Sequence, residues 1–478
     1  MVSTRLRTHV LACAGVIAVI IGAATLATAA PGPTVKARPA GLSPIAGIQD
    51  DRIVGDPNPD ARVRMLADAG AALVRVDMRW DLVARSRPAN PVNPADPAYA
   101  WGQYDAIVAA ARKYHVEVLF SVYGTPSWAA DPSVPFDPDF ENWSIRPRAS
   151  TDFGAFGEAA ARRYAPLGVH KWEAWNEPNI PLFLRPQYTR KGNKWVPASP
   201  ATYSALLKDF YAGVKRADPA SAIAGAVTAP AGNRCPSCPL DAPPVRVTPD
   251  DFIAALNAPG LRPPMDAVSH HPYPFRAPTN TTPPRRNYVD LYNLDVLIKA
   301  IDRTYLRGKR VWLTEYGFGT RKVPQYPYAF GLANQGPFIA DAYRRAKANR
   351  RVGLLVYYFL QDHPQWASGV LAQDGRPKPG YQAIGLPFAS TTTGRVRRGT
   401  AVTLVGQARV AAAATRVDIQ RKAGGWVTLK RVGTSRDGSF KVSLRATGRL
   451  LLRARWSGLS RTGAPATRTS PTVTIAVR

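Results

Sequence analysis

From about Pro44 to Phe388 the chain alternates short, nearly continuous apolar runs with longer amphipathic stretches. The runs are IAGI (45–48), ALVRV (72–76), VEVLFSV (116–122), VHKWEAW (169–175), AIAGAVT (222–228), MDAVSHH (265–271), RVWLTE (310–315) and VGLLVYYF (352–359). Runs of this length without in–out alternation fit strands covered on both faces. Between them the pattern predicts helices, among them Asp60–Ala69, Tyr104–Tyr114, Phe153–Tyr164, Ala201–Arg216, Leu291–Tyr305 and Gln335–Ala348. Strand then helix, repeated about eight times, predicts parallel βα units. The count fits a closed barrel and a doubly wound open sheet alike. No Gly-x-Gly-x-x-Gly follows an early strand, which counts against a nucleotide-binding sheet.

After Phe388 the texture changes to short alternating segments: AVTLVGQARV, TRVDIQRK, GWVTLKRV, SFKVSLRA, LLLRARW and TVTIAV. Gly424-Gly425 and Asp437-Gly438 punctuate them as turns. This predicts a small all-β, immunoglobulin-like sandwich over 395–478, joined by a linker at 388–394 to a first domain spanning 44–388.

The first residues read as an export signal. Arg5 and Arg7 precede an apolar stretch from Val10 to Leu26, and Ala27-Thr28-Ala29 has the small-x-small form of a cleavage site. The stretch is only just long enough to span a bilayer and is diluted by Ala and Gly, so cleavage after 29 is expected in preference to anchoring. The mature chain is expected to be secreted, with a flexible Pro-rich linker over 30–43 and no transmembrane segment. Of three cysteines, Cys13 leaves with the signal. Cys235 and Cys238 remain as Cys-Pro-Ser-Cys. Without a thioredoxin-type context or a second ligand pair, they read as a short disulfide in an oxidising compartment.

The net charge is +30, from 63 Lys and Arg against 33 Asp and Glu. From Thr391 onward there are 18 basic and 2 acidic residues, so a net +16 sits in the last 88 positions. That field could hold the chain on an acidic cell surface or an anionic polysaccharide. A solvated basic face would read the same way. No recognised nucleic-acid motif accompanies the charge, so no specific nucleic-acid partner is expected.

Two apolar runs end in a glutamate: Trp175-Asn176-Glu177-Pro178-Asn179 at the fourth and Trp312-Leu313-Thr314-Glu315-Tyr316 at the seventh. In a parallel barrel both would stand on the C-terminal rim. Two carboxylates at one rim suit glycosidic cleavage, one protonated to serve the leaving oxygen and one ionised to attack the anomeric carbon. A lone glutamate at a strand end is as readily half of a structural ion pair. Two in matching positions favour chemistry.

With these motifs the sequence resembles glycoside hydrolase clan A, over roughly residues 45–385. WEAWNEPN (172–179) is similar to the clan's Asn-Glu-Pro motif, and WLTEYGF (312–318) to its nucleophile strand. The resemblance implies a (β/α)8 TIM barrel, retention of configuration, Glu177 as acid/base and Glu315 as nucleophile. It implies that Asn176 meets the sugar 2-hydroxyl and that Arg75, taken to end the second strand, supports the nucleophile. DAVSHHPYP resembles the sixth-strand His-x-Tyr element, read as His271 and Tyr273, with His270 as packing. One His pair without a third ligand gives no metal site, and no organic cofactor is expected. The third strand lacks the histidine common in family 5. Gly124-Thr125-Pro126-Ser127-Trp128 looks more like family 39. Loop tryptophans Trp128, Trp143 and Trp195 suit a glycan groove or plain loop packing. After the eighth strand Tyr358, Phe359 and Trp366 compete for the role of sugar platform. Asp374–Pro379 resembles the turn before the last barrel helix.

The expected partner is therefore a carbohydrate substrate, cleaved at β-linkages in a poly- or oligosaccharide. Two rivals share the residues: a transglycosylase using a sugar acceptor, and a catalytically inactive carbohydrate-binding surface protein.

Overall fold

The computed structural model describes residues 44–232, 246–278, 287–323 and 328–478. The expected signal (1–29), the linker 30–43 and the Cys235–Cys238 pair lie outside the described residues.

Each predicted apolar run overlaps one barrel strand. The first four are β1 (Ile45–Gln49), β2 (Leu73–Arg79), β3 (Glu117–Tyr123) and β4 (Lys171–Ala174). An antiparallel hairpin of β5 (Tyr188–Lys191) and β6 (Lys194–Pro197) follows outside the barrel. The last four are β7 (Ala222–Thr228), β8 (Ala267–His270), β9 (Arg310–Tyr316) and β10 (Val352–Tyr358). All neighbours pair in parallel, and β1 closes on β10 with Ile45 opposite Leu354. The choice between barrel and open sheet is thereby decided for the barrel.

The helices are α1 (Pro59–Ala69), α2 (Trp80–Val83), α3 (Gly102–Lys113), α4 (Ser150–Tyr164), α5 (Ser199–Ala217), α6 (Pro249–Leu256), α7 (Leu294–Asp302), α8 (Leu332–Ala348) and α9 (Pro379–Gly385). Helix α1 shows why its boundaries were legible. Asn58 caps Ala61 N–H at 3.0 Å, Pro59 opens the first turn, and Gly70 closes it at φ 100°. Helix α6 was missed, although Thr248-Pro249-Asp250-Asp251 is a helix-start signature and Thr248 does cap Asp251 N–H. Helix α7 is shorter than expected, because Asp290 and Asn293 hydrogen-bond each other's neighbourhood in a turn before it.

The barrel interior is layered by the two-residue period of its strands. Leu73, Leu119, Ala267, Trp312 and Leu354 form an apolar floor, all nearly or fully buried. Two residues further along, four of these strands supply Arg75, Ser121, Ser269 and Thr314, all at 0% exposure, and the fifth supplies the apolar Val356. The next step gives Asp77, Tyr123, His271 and Tyr358 at the rim. The interior thus grades from hydrocarbon through a buried polar layer to an open, ionisable mouth.

The C-terminal module forms two sheets around its own core, including Val402, Leu404, Val417, Ile419, Phe440, Leu452 and Trp456. One sheet has β11 (Phe388–Ser390), β13 (Ala401–Gln407) and β16 (Ser439–Arg445); β12 (Arg395–Val396), β14 (Arg416–Ala423), β15 (Gly425–Gly433), β17 (Leu450–Leu459), β18 (Pro465–Thr469) and β19 (Val473–Val477) form the other. The expected linker is corrected here. Phe388–Ser390 is a strand paired with β13, and its Phe388 is core.

The module packs against the outer helices of the barrel, on α1, α8 and α9. Thr462 Oγ1 donates to Asp68 at 2.6 Å and Arg468 Nη2 to the Asp68 carbonyl at 2.6 Å. Arg409 lies buried over the Tyr343 ring at 4.9 Å and donates to the Ile384 carbonyl. Tyr343 in turn donates to the Gly406 carbonyl at 3.2 Å. No helix among the described residues is long and apolar enough to cross a membrane.

Candidate active site

The site is built upward from Arg75. It is not the end of its strand, as expected, but its third residue, with Val76–Arg79 continuing β2 beyond it. Its side chain therefore lies inside the barrel, and a fully buried guanidinium must satisfy its donors there. Nε donates to Glu173 Oε2 at 2.7 Å, Nη1 to Gln49 at 2.6 Å and Glu315 Oε1 at 2.7 Å, and Nη2 to Ser121 at 2.9 Å and Asn176 Oδ1 at 2.8 Å. Asp77 receives a longer bond, 3.2 Å, from Nη1.

Glu173 is the buried counter-ion of this hub. Burial opposes its ionisation, but Arg75, His271 and hydrogen bonds from Ser269 and Thr314 outweigh burial and hold it below the usual carboxylate range. Sequence reading passed over it because only strand ends were searched. The available signal was a carboxylate inside an apolar run, which needs a cation; Arg75 was the matching interior charge.

Strand β4 ends in an unusual turn. Trp175 has φ 73° and Glu177 φ 40°, left-handed conformations that cost non-glycine residues energy and need outside support. The fully buried Trp175 supplies it. Its indole N–H donates to the Phe183 carbonyl at 2.9 Å, and its ring meets Phe153 edge-on at 5.2 Å. The turn presents Asn176 to Arg75 and Glu177 to His271.

Glu315 ends the site's other wall. Its Oε1 accepts from Arg75 and its Oε2 from the Tyr273 hydroxyl at 2.8 Å. Glu177 Oε1 pairs with His271 Nδ1 at 2.8 Å. Glu177, His271 and Glu315 each place an atom within 4.8 Å of the other two. Burial pushes both glutamates up to about 7; Arg75 opposes it at both, His271 opposes it at Glu315, and Glu177 adds to the rise at Glu315. The hydrogen bonds break the tie. Glu315 holds a guanidinium and a phenol, both donors, so its ionised form is favoured. Glu177 has only His271, whose own protonation burial opposes. Glu177 is then the one to keep the proton. The same three residues resemble a metal donor set, but both Glu315 oxygens and His271 Nδ1 are already bonded to protein groups.

The rim carries further carboxylates. Asp77 accepts from Tyr123 at 3.1 Å, and desolvation pushes it up to about 6 against the pull of Arg75. Asp51 accepts from the Tyr358 hydroxyl and, at 2.8 Å, from Gln49. Tyr358 stands edge-on to Tyr273 at 5.9 Å and to Trp366 at 5.1 Å, while Phe359 is wholly buried. Of the three platform candidates, Tyr358 and Trp366 both stand against Tyr273, Trp366 at 5.7 Å, and Phe359 alone is withdrawn.

His270 bonds Thr228 and the Val289 carbonyl, and burial pushes it down to about 3; it is a neutral packing residue. Trp128 is not brought to the glutamates. Its N–H donates to the Ala84 carbonyl at 2.7 Å and its ring meets Trp80 at 5.7 Å. Trp143 lies 4.3 Å beneath Arg79, and Trp195 sits on the outer hairpin. Sequence could not separate these because a loop tryptophan's partners lie on other elements.

With this geometry in place, the known structures can be compared. The chain is similar to a family 39 glycoside hydrolase from the gut symbiont Bacteroides cellulosilyticus WH2, with TM-score 0.52 and 19% identity over 84% of this chain and 79% of that one. It is similar also to a glucosidase from Croceicoccus marinus, with TM-score 0.50 and 14% identity over 87% and 95%. At such identities the likeness establishes the fold alone, a closed barrel of eight parallel strands. No family model matches the chain, and no curated protein matches it in sequence.

Proposed function

We propose that this chain is a retaining β-glycosidase, with Glu315 as nucleophile and Glu177 as acid/base. The observation that carries the reading is the pair itself: two carboxyl groups with atoms within 4.8 Å, one held by Arg75 and Tyr273 and the other by His271. A separation of about 5 Å suits direct attack on the anomeric carbon, whereas inversion needs room for a water, about 6.5–9.5 Å. Glu177 first protonates the leaving oxygen, then activates the water that releases the sugar from Glu315. Asn176 donates to the 2-hydroxyl, and Tyr358 offers its ring to the sugar.

The test is labelling with a 2-fluoro glycoside inactivator followed by peptide mass spectrometry. The expected adduct is on Glu315; an adduct on another carboxylate, or inverted product by NMR, overturns the reading.

A further inference from the structure

We propose that the outer face of the β-sandwich around Trp426, Arg453 and Arg455 binds an anionic polysaccharide. The face follows from strand register. Ile419, Leu452, Ala454 and Trp456 point into the module core, so their neighbours in sequence point outward. Pairing then aligns the outward residues in rows. Arg455, Asp418 and Arg431 lie across β17, β14 and β15; so do Arg453, Gln420 and Thr428; Lys422 stands opposite Trp426. Beyond Arg455 and Ser457, β18 adds Thr469 and Thr467.

Two features make this more than general positive charge. First, Arg453 is pre-organised. Its guanidinium lies 4.2 Å from the Trp426 ring, and its Nε donates to Gln420 at 2.8 Å. That fixes the plane and leaves both Nη groups without a hydrogen bond among the described residues, a fork shaped for a carboxylate or sulfate. Lys422 Nζ lies 5.8 Å from the same ring. Second, the cations lack counter-ions. The acid of the face, Asp418, is taken by Arg431 at 2.6 Å, and neither Arg453 nor Arg455 has an ion pair among the described residues. Partial burial, then the adjacent Arg455, hold Arg453 below its usual basicity, so an arriving anion relieves a repulsion already present. Arg453 and Arg455 are two residues apart on one strand, about 6–7 Å by strand rise, and Arg431 is two strands from Arg455, about 10 Å. Anions repeating along a polymer can meet them together.

The hydroxyls and amides between the cations, Gln420, Thr428, Ser457, Thr467 and Thr469, suit sugar hydroxyls, which favours a charged glycan over a bilayer or a nucleic acid. Binding is measured separately from turnover, so failure of this site and failure of the glycosidase reading are distinguishable.

The test uses the full chain and three variants: Arg453→Gln/Arg455→Gln, Trp426→Ala, and the charge-matched control Arg436→Gln/Lys441→Gln from exposed positions elsewhere on the module. Binding to immobilised polygalacturonate, neutral dextran, phosphatidylserine vesicles and duplex DNA is measured across a salt series. The wild type should bind polygalacturonate best, less tightly as salt rises. The double arginine variant should weaken Kd by about tenfold, and Trp426→Ala by roughly fivefold through loss of the stacked plane, with the control near wild type. Turnover of a small soluble glycoside should be unchanged in all three. Equal losses in the control mean diffuse charge and overturn the site, as does binding of vesicles or DNA as tight as that of polygalacturonate.

Discussion

Arg75 Nη2 donates to Asn176 Oδ1 at 2.8 Å while the same guanidinium holds Glu315. A guanidinium has no acceptor, so the amide oxygen must face it and Nδ2 is left to donate elsewhere. One buried cation thus orients the Asn176 amide and holds Glu315. Asn176→Ala should lower kcat/KM by about 10²–10³ on ordinary glycosides, the scale for one donor lost from a preorganised site. The loss should nearly vanish on 2-deoxy glycosides. Comparable losses on both would mean that Asn176 does not meet the 2-hydroxyl.

Glu177→Ala should separate the two chemical steps. Activated aryl glycosides need little protonation, so their first step should survive far better than cleavage of natural linkages. Added azide should restore turnover by replacing the activated water and give a glycosyl azide of retained configuration. Equal loss on both substrate types without rescue would remove Glu177 from the role.

The pH profile should be a narrow bell near neutrality, because burial pushes both glutamates up to about 7. The two limbs belong to the coupled pair. Tyr273→Phe removes a donor from ionised Glu315, so the acid limb of kcat/KM should move to higher pH. An unmoved acid limb would show that Tyr273 does not tune the nucleophile.

Stability should carry the same signature. Glu177 is raised from an ordinary 4.5 to about 7 in the folded chain. Between these values the unfolded chain is ionised while the folded one keeps its proton. Its contribution is therefore intact below about pH 4.5 and lost as pH rises through 7. Glu177→Gln should match wild type near pH 4 and exceed it above pH 7, by on the order of 1–3 kcal/mol in urea unfolding. A gain of equal size at both pH values would rule out titration as its cause.

Removing the sandwich should destabilise the barrel rather than leave it untouched. Cutting after Pro387 strips the partners of Tyr343 and Asp68 and uncovers Leu386 and Ile384, both nearly or fully buried. The truncated chain should melt several degrees lower than the full chain, by the scale of lost buried apolar groups at about 1.5–3 kcal/mol each. An unchanged melting temperature would show that the docking contributes nothing.

The sequence determined what is local. Apolar runs set the eight barrel strands, and alternation set most of the sandwich strands, because both periods are written in consecutive residues. Glu177 and Glu315 were legible for the same reason: each stands at the end of an apolar run. Tertiary structure decided what depends on residues far apart in the chain. Barrel closure needs β1 to meet β10. The Arg75 hub joins the first, second, third, fourth and seventh barrel strands, and Gln49 does not announce itself until the barrel stacks it beside Arg75. Trp128 turned to the core because Trp80 and Ala84 were there to receive it. The different surroundings of the two glutamates, Arg75 and Tyr273 at Glu315 and His271 at Glu177, arrive only with the fold, because those donors come from other strands.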